Sequence, residues 1–287
     1  MAIKSMIGGK TIIIDVLNRR LKEAANMEDE EDAEMEQQAV RPLLDQENKA
    51  FKDLQKFLTN VTREWEDPEK RVIGHVVRSP AISLNVGDDG FTQDWAVVEI
   101  YPSMIDKSNF VGNVIDLGTS IAADKLTGYM YRRLANPTSF KYPANRLLEL
   151  KGTIPDKNMF KPDPRTLDQE NDPVIMVLKH GSATGLTVGH LNSIRSATRK
   201  YFEGKPGAMS KEVAVTPRNS KSGPFSERGD SGSVVVSGTG QVAGIITGGA
   251  GVTDVSDCTY VTSINFIIKS LAAHGFNANI FPTGVNL

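Results

Sequence analysis

A serine that attacks a carbonyl needs its hydroxyl exposed on a tight turn. Backbone N–H groups must point at the same spot, to take up the charge that develops on oxygen. One stretch of this 287-residue sequence has that form: Phe225-Ser226-Glu227-Arg228-Gly229-Asp230-Ser231-Gly232-Ser233, running straight into Val234-Val235-Val236. Gly229 and Gly232 permit the turn and let a substrate backbone approach closely. Ser231 is therefore the candidate nucleophile of an acyl transfer, and the N–H groups of Gly229 and Ser231 are the candidate oxyanion donors. A plain turn serine is the alternative.

A serine hydroxyl also needs a base, and the chain has four histidines: His75, His180, His190 and His274. His180 and His190 flank Gly-rich turns and read as surface or loop residues. Asp254, Asp257 and His274 follow Ser231 in an order that would suit an α/β-hydrolase, but that fold needs a helix directly after the serine, and here a β-branched run follows. There is no His-Glu-x-x-His and no paired Cys-x-x-Cys. No glycine loop for phosphates precedes a helix. We expect no metal and no cofactor. The formal net charge is -2 and the basic residues are scattered, so a nucleic-acid partner is not expected. The lone Cys258 reads as a small hydrophobe at the start of a strand. One cysteine, no signal-like segment and no apolar run of membrane length give an expectation of an intracellular, cytoplasmic protein that does not enter a membrane.

The elements that must position Ser231 are short strands. Residues 174–178, 186–189, 212–215, 233–236, 242–246 and 259–261 are apolar or β-branched runs separated by Gly-rich turns, the pattern of an antiparallel barrel or sandwich. Ile264 to Ala273 reads as a closing helix. Upstream, residues 71–77 and 94–100 read as strands, the second apolar enough to be buried on both faces. Residues 124–134 read as helical, and Asn136-Pro137 and later prolines as loop.

The first 66 residues differ. Ile12-Ile13-Ile14 fits a short strand. Leu17, Leu21 and Ala24 then recur at helical spacing, and Phe51, Leu54, Leu58, Val61 and Trp65 form one helical stripe. Between them, residues 28–36 are almost all acidic and read as a solvated or mobile segment, with Pro42 at a first helical position. Residues 16–66 thus predict a helical hairpin.

The Gly-Asp-Ser-Gly stretch resembles the nucleophile loop of trypsin-like serine proteases. The resemblance covers residues 71–270. Val242 to Gly249 is similar to the strand lining the substrate cleft, and Tyr260-Val261-Thr262-Ser263 with the following helix to the family's C-terminal elements. Lys179 to Gly189 resembles the Gly-x-x-Thr-Gly-x-Thr-x-Gly segment that opens the second barrel in bacterial and fungal members. Asp94, before Trp95-Ala96-Val97-Val98-Glu99-Ile100, resembles the triad aspartate. Intracellular fungal relatives with a helical insertion before that aspartate are similar in layout.

The resemblance implies that Asp94 orients a histidine which takes the proton from Ser231. The family order is His, Asp, Ser. Only His75 precedes Asp94, and it sits in the strand just before the aspartate loop, where the family often carries a non-catalytic histidine. Residues 1–70 contain no histidine. Two readings stay open: His75 serves as the base, or the base is missing together with the N-terminal part of the first barrel. Phe225 stands where trypsin-type members carry an acidic residue, so no preference for Arg or Lys is implied. Asp230, which in activated secreted members pairs with a new N-terminus, must find another partner or simply shape the turn.

The expected fold is mainly β: a chymotrypsin-like double β-barrel with an incomplete first barrel, plus an N-terminal helical hairpin. The expected division is 1–66 (strand and hairpin), 67–172 (remnant of the first barrel) and 173–287 (second barrel with C-terminal helix). The expected function is a serine endopeptidase-like protein acting on peptides or proteins, or a catalytically inactive relative that binds them.

Overall fold

In the computed structural model, residues 2–131, 133, 140–168, 170–202, 204–251 and 257–283 are described. Asn136-Pro137, Leu134 and Asp254 lie outside them. The chain forms two compact units, 1–75 and 76–287.

The first unit is an antiparallel pair of helices, α1 (Ala2–Ala24) and α2 (Glu30–Trp65). The strand expected at Ile12-Ile13-Ile14 is instead the middle of α1. Ile7, Ile14, Leu17, Leu21 and Ala24 recur at helical steps, and the burial of Leu17 and Ala24 outweighs the β preference of three isoleucines. The acidic block is solvated, as expected, but it is helical. The Asp29 carboxylate accepts from the N–H of Glu31 (2.9 Å) and Asp32 (3.2 Å) and so caps α2. Glu30, Glu31 and Asp32 fill the first turn, where the helix dipole favours negative charge. Pro42 therefore does not begin the helix but lies inside it. Lys10–Glu47 and Arg20–Glu36, both 2.8 Å, tie the two helices together.

The second unit is mainly β. Its upstream part holds β1 (Gly74–Arg78), which straddles the unit boundary, β2 (Ser83–Val86), β3 (Phe91–Gln93), β4 (Val97–Ile100), β5 (Val114–Asp116), α3 (Ala123–Met130), β6 (Leu147–Glu149) and α4 (Asp156–Phe160). These strands form two-stranded pairs, β1 with β4, β2 with β3 and β5 with β6, and do not close into a barrel. The segment at 94–100 is not buried on both faces: Val98 and Ile100 are 47% and 46% exposed. Among the described residues β4 pairs with β1 alone, and no further strand covers it.

The rest is a closed barrel. It comprises β7 (Ile175–Gly181), β8 (Gly185–Leu191), β9 (Ser196–Phe202), β10 (Lys205–Pro217), β11 (Val234–Ser237), β12 (Val242–Ala250) and β13 (Cys258–Ser263), followed by α5 (Ile264–Ala273). The sheet order is β13-β12-β11-β7-β8-β10-β9, and β13 also pairs with β10. Six antiparallel strands thus close into a ring, and β9 pairs outside it on β10. Closure removes the open edges that a flat sheet would expose. Val213↔Val261 and Val215↔Leu191 set the register on the two sides of β10. Val177, Leu178, Val215, Val235, Val236, Ala243 and Val261 are fully buried inside. The β2–β3 ribbon is fixed to the barrel by Ser210, whose hydroxyl accepts from Asn85 N–H, and by buried Glu212, which accepts from Thr92 N–H and Thr262 Oγ1.

The barrel leaves no room for a side chain at Gly244. A Cβ there would press on the Thr262 carbonyl oxygen and lie 2.7 Å from Val261 Cγ1. Gly244→Ala is expected to destabilise the unit by about 1–3 kcal/mol. Urea unfolding would read this, and an unchanged midpoint would contradict the packing.

Candidate active site

Ser231 lies just before β11, exposed, on a turn with Gly229 at φ 110° and Gly232 at φ 86°. Only glycine takes such angles without strain. The loop is tied to β12, Gly232 N–H donating to Ile246 O (2.8 Å) and Ile246 N–H to Ser233 O (3.0 Å). Asp230 N–H donates to Glu227 O and Ser233 N–H to Asp230 O, both 3.0 Å. Among the described residues, the N–H groups of Gly229 and Ser231 have no acceptor and the Ser231 hydroxyl has no partner.

Beneath the exposed serine is a buried ion pair. Lys179 Nζ lies 3.0 Å from Asp230 Oδ2, and both side chains are 0% exposed. Lys179 also donates to Gly185 O (3.0 Å) and to Thr184 Oγ1. The Asp230 carboxylate accepts in addition from Thr184 Oγ1 (2.7 Å), Ala183 N–H (2.8 Å), Thr184 N–H (3.3 Å) and Glu227 N–H (3.1 Å). Burial alone would push this carboxyl up, but the donors, Thr184 and Lys179 foremost, outweigh it and hold it well below the usual carboxylate range. A buried charge is tolerated only when paired and fully hydrogen-bonded, and this one is both. The expected alternative partner of Asp230 is thus Lys179. The sequence signal for this pair is a lysine directly after the apolar run Val174 to Leu178, because a charge entering a barrel core needs a buried carboxylate.

The adjoining ends of β7 and β8 complete the cradle. Thr187 Oγ1 donates to Phe225 O (2.7 Å), and Gly181 sits so close to Asp230 that a Cβ would collide with its carboxylate. Phe225 is 1% exposed, in the barrel core against Gly189, and its N–H donates to Asp257 Oδ2 (3.1 Å).

Beside Ser231 opens a cleft of about 300 Å³, lined by Ser226, Arg228, Ile246, Gly248, Gly249 and Asp257 among others. Gly248 and Gly249 leave its wall as bare backbone. Asp94 does not line it. Asp94 is exposed, with Lys200 Nζ 3.7 Å from its carboxylate. Its neighbour Trp95 donates from Nε1 to Ser270 Oγ (3.0 Å) and meets the His274 ring edge-on at 5.1 Å. His75 is the last residue of the first unit and is exposed. His180 Nδ1 lies 2.6 Å from Asp116 O at the end of β7, while His190 is half-buried within β8 and not in a loop. Cys258 is part-buried, and burial pushes its thiol up, which makes it a poor nucleophile.

No protein-family model matches the chain. No curated protein matches it either. Among solved structures it is similar to a glutamic-acid-specific serine protease described as using a histidine triad in substrate binding, at 14% identity over 71% of this chain and 72% of that one, TM-score 0.38. It is also similar to Thermobifida fusca protease A (14%, 70% and 88%, TM-score 0.35) and to a chymotrypsin of Cellulomonas bogoriensis (16%, 70% and 87%, TM-score 0.30). Among the described residues no helix is long and apolar enough to cross a membrane.

Proposed function

We propose that this chain is a trypsin-like serine endopeptidase-type protein that works by acyl transfer at Ser231 on an extended peptide. The observation that carries this reading is the exposed serine on a turn anchored from below by the buried Lys179–Asp230 pair. Such an anchor fixes a loop that would otherwise be mobile. It leaves the N–H groups of Gly229 and Ser231 free to receive an oxyanion, where preorganised donors contribute most. The substrate carbonyl carbon is attacked by Ser231 Oγ, the carbonyl oxygen takes the negative charge between those two N–H groups, and the hydroxyl proton passes to a base, which gives it to the amine that leaves as the C–N bond breaks. The sequence offers His75 as that base and Asp94 as the carboxylate that orients it. The bare backbone of Gly248 and Gly249 suits an extended peptide lying along the cleft.

A second reading is a catalytically silent relative that holds peptides in the same cleft. It is favoured by Asp94, whose nearest charged partner is Lys200. The two readings differ in the base, because loss of the serine or histidine of a triad lowers turnover by about 10⁶-fold.

Labelling with a fluorophosphonate probe tests this. An active protein takes the label on Ser231 with loss of fluoride, and Ser231→Ala abolishes it. His75→Ala then reports whether that histidine is the base. A folded chain that takes no label retires the enzyme reading and leaves the peptide-binding one.

A further inference from the structure

The helical pair of the first unit has two apolar faces and uses only one. Along α1, the stripe turned toward α2 contains Ile7, Ile14, Leu17, Leu21 and Ala24. A second stripe, Met6, Gly9, Ile13 and Val16, lies about a quarter turn away at 3.6 residues per turn. Along α2 the inward stripe is Val40, Leu44, Phe51, Leu54 and Leu58. A second, Met35, Ala39, Leu43, Ala50 and Phe57, is again offset by about a quarter turn, in the same sense along the chain. Because the helices are antiparallel, equal offsets of the same sense bring both outer stripes to one side of the pair. The ion pairs Lys10–Glu47 and Arg20–Glu36 fix the register, so Ile13 stands beside Leu43 and Met6 beside Ala50. The large residues of this face are open: Met6 55%, Ile13 44%, Val16 45%, Met35 65%, Leu43 48% and Phe57 55% exposed.

The pair is also short of core. Leu17, Ala24 and Val40 are the buried hydrophobic residues among those described in the unit. A two-helix hairpin with so small a core needs a further layer.

Charge selects the layer. In α2 no basic residue occurs before Arg41, while Glu30, Glu31, Asp32, Glu34 and Glu36 do. Further along, Lys49, Lys52 and Lys56 follow, with Asp45, Glu47 and Asp53 among them. Glu31 at one end and Lys49 and Lys56 at the other border the open stripe on the same edge. A second α2 laid antiparallel across the first, about an axis near Leu43, sets each acidic end on the other's lysines. A parallel arrangement would set acid on acid.

We propose that this face binds a second copy of the chain, and that two helical pairs join about a two-fold axis near Leu43 as an antiparallel four-helix bundle.

The test uses the full chain. Sedimentation should give a concentration-dependent dimer. Ile13→Glu with Leu43→Glu buries like charges in the joint and should weaken association by about 100-fold or more. Folding of this variant is checked by helical circular dichroism and by an unchanged second unit. Lys49→Glu with Lys56→Glu should also give a monomer. It should recover a dimer when mixed with a Glu31→Lys, Asp32→Lys chain, an exchange that loss of folding cannot mimic. With Cys258→Ser in place, Leu43→Cys should cross-link two chains on mild oxidation. A parent chain that stays monomeric at about 100 μM would overturn the proposal, as would a dimer that survives both sets of charge changes. A different protein bound to the same face would overturn it too.

Discussion

Replacing Lys179 with methionine is expected to destabilise the second unit by about 3–5 kcal/mol and to remove any probe labelling of Ser231. Methionine fills similar space but leaves the Asp230 carboxylate fully buried without its cation. The remaining donors, Thr184, Ala183 N–H and Glu227 N–H, cannot offset a charge at 0% exposure. The loop is then driven to expose Asp230 to water, and Ser231, one residue on, moves with it. Adding Asp230→Asn to Lys179→Met removes the orphan charge and should restore much of the stability. It should not restore labelling, since the Asn amide nitrogen cannot accept the N–H and O–H groups that now converge on both carboxylate oxygens. Urea unfolding and probe labelling, read together on the two variants, separate stability from positioning. A single variant that loses less than about 1 kcal/mol would mean that Lys179 does not clamp the loop.

The same cradle sets the acid sensitivity of the site. Asp230 is held below its ordinary range, so its contribution is present above the unfolded carboxylate pKa of about 4 and is lost as pH falls through the folded value. Burial lowers Lys179, against the opposing effect of the Asp230 carboxylate in contact with it. Stability should therefore hold from about pH 7 to about pH 4 and fall below it. Glu212 works in the opposite sense. Burial raises its carboxyl, against the donors from Thr92 and Thr262, so its contribution is present below the unfolded value and lost as pH rises through the folded one. Glu212→Gln removes that opposing trend and leaves the acid loss due to Asp230, which Lys179→Met should shift to higher pH. An acid profile identical in the parent and in Lys179→Met would contradict the assignment.

Local patterns carried much of this molecule. The runs at 174–178, 233–236 and 259–261 overlap β7, β11 and β13, the first two starting one residue early, and Ile264–Ala273 is a helix with the ends expected for it. The stripe from Phe51 to Val61 lies on α2. The patterns misled where a local preference competed with a partner far away in sequence. Three isoleucines look like a strand until α2 offers a groove for Ile14 and Leu17. The apolar run from Val97 to Ile100 looks like a core strand, but among the described residues Val98 and Ile100 stay about half exposed.

For the site, the amino-acid sequence by itself determined the turn. Gly229, Ser231 and Gly232 specify a backbone bend with an exposed hydroxyl, because positive φ angles are a local property of glycine. Only the tertiary structure decided what holds that turn. Lys179 and Asp230 are 51 residues apart, and Thr187 and Phe225 are 38. Asp94 stands beside Lys200 for the same reason. Hydrogen bonds and ion pairs act over a few ångströms of space, and which side chains come within that reach is set by how the barrel closes, a property of all six strands together that none of them carries alone.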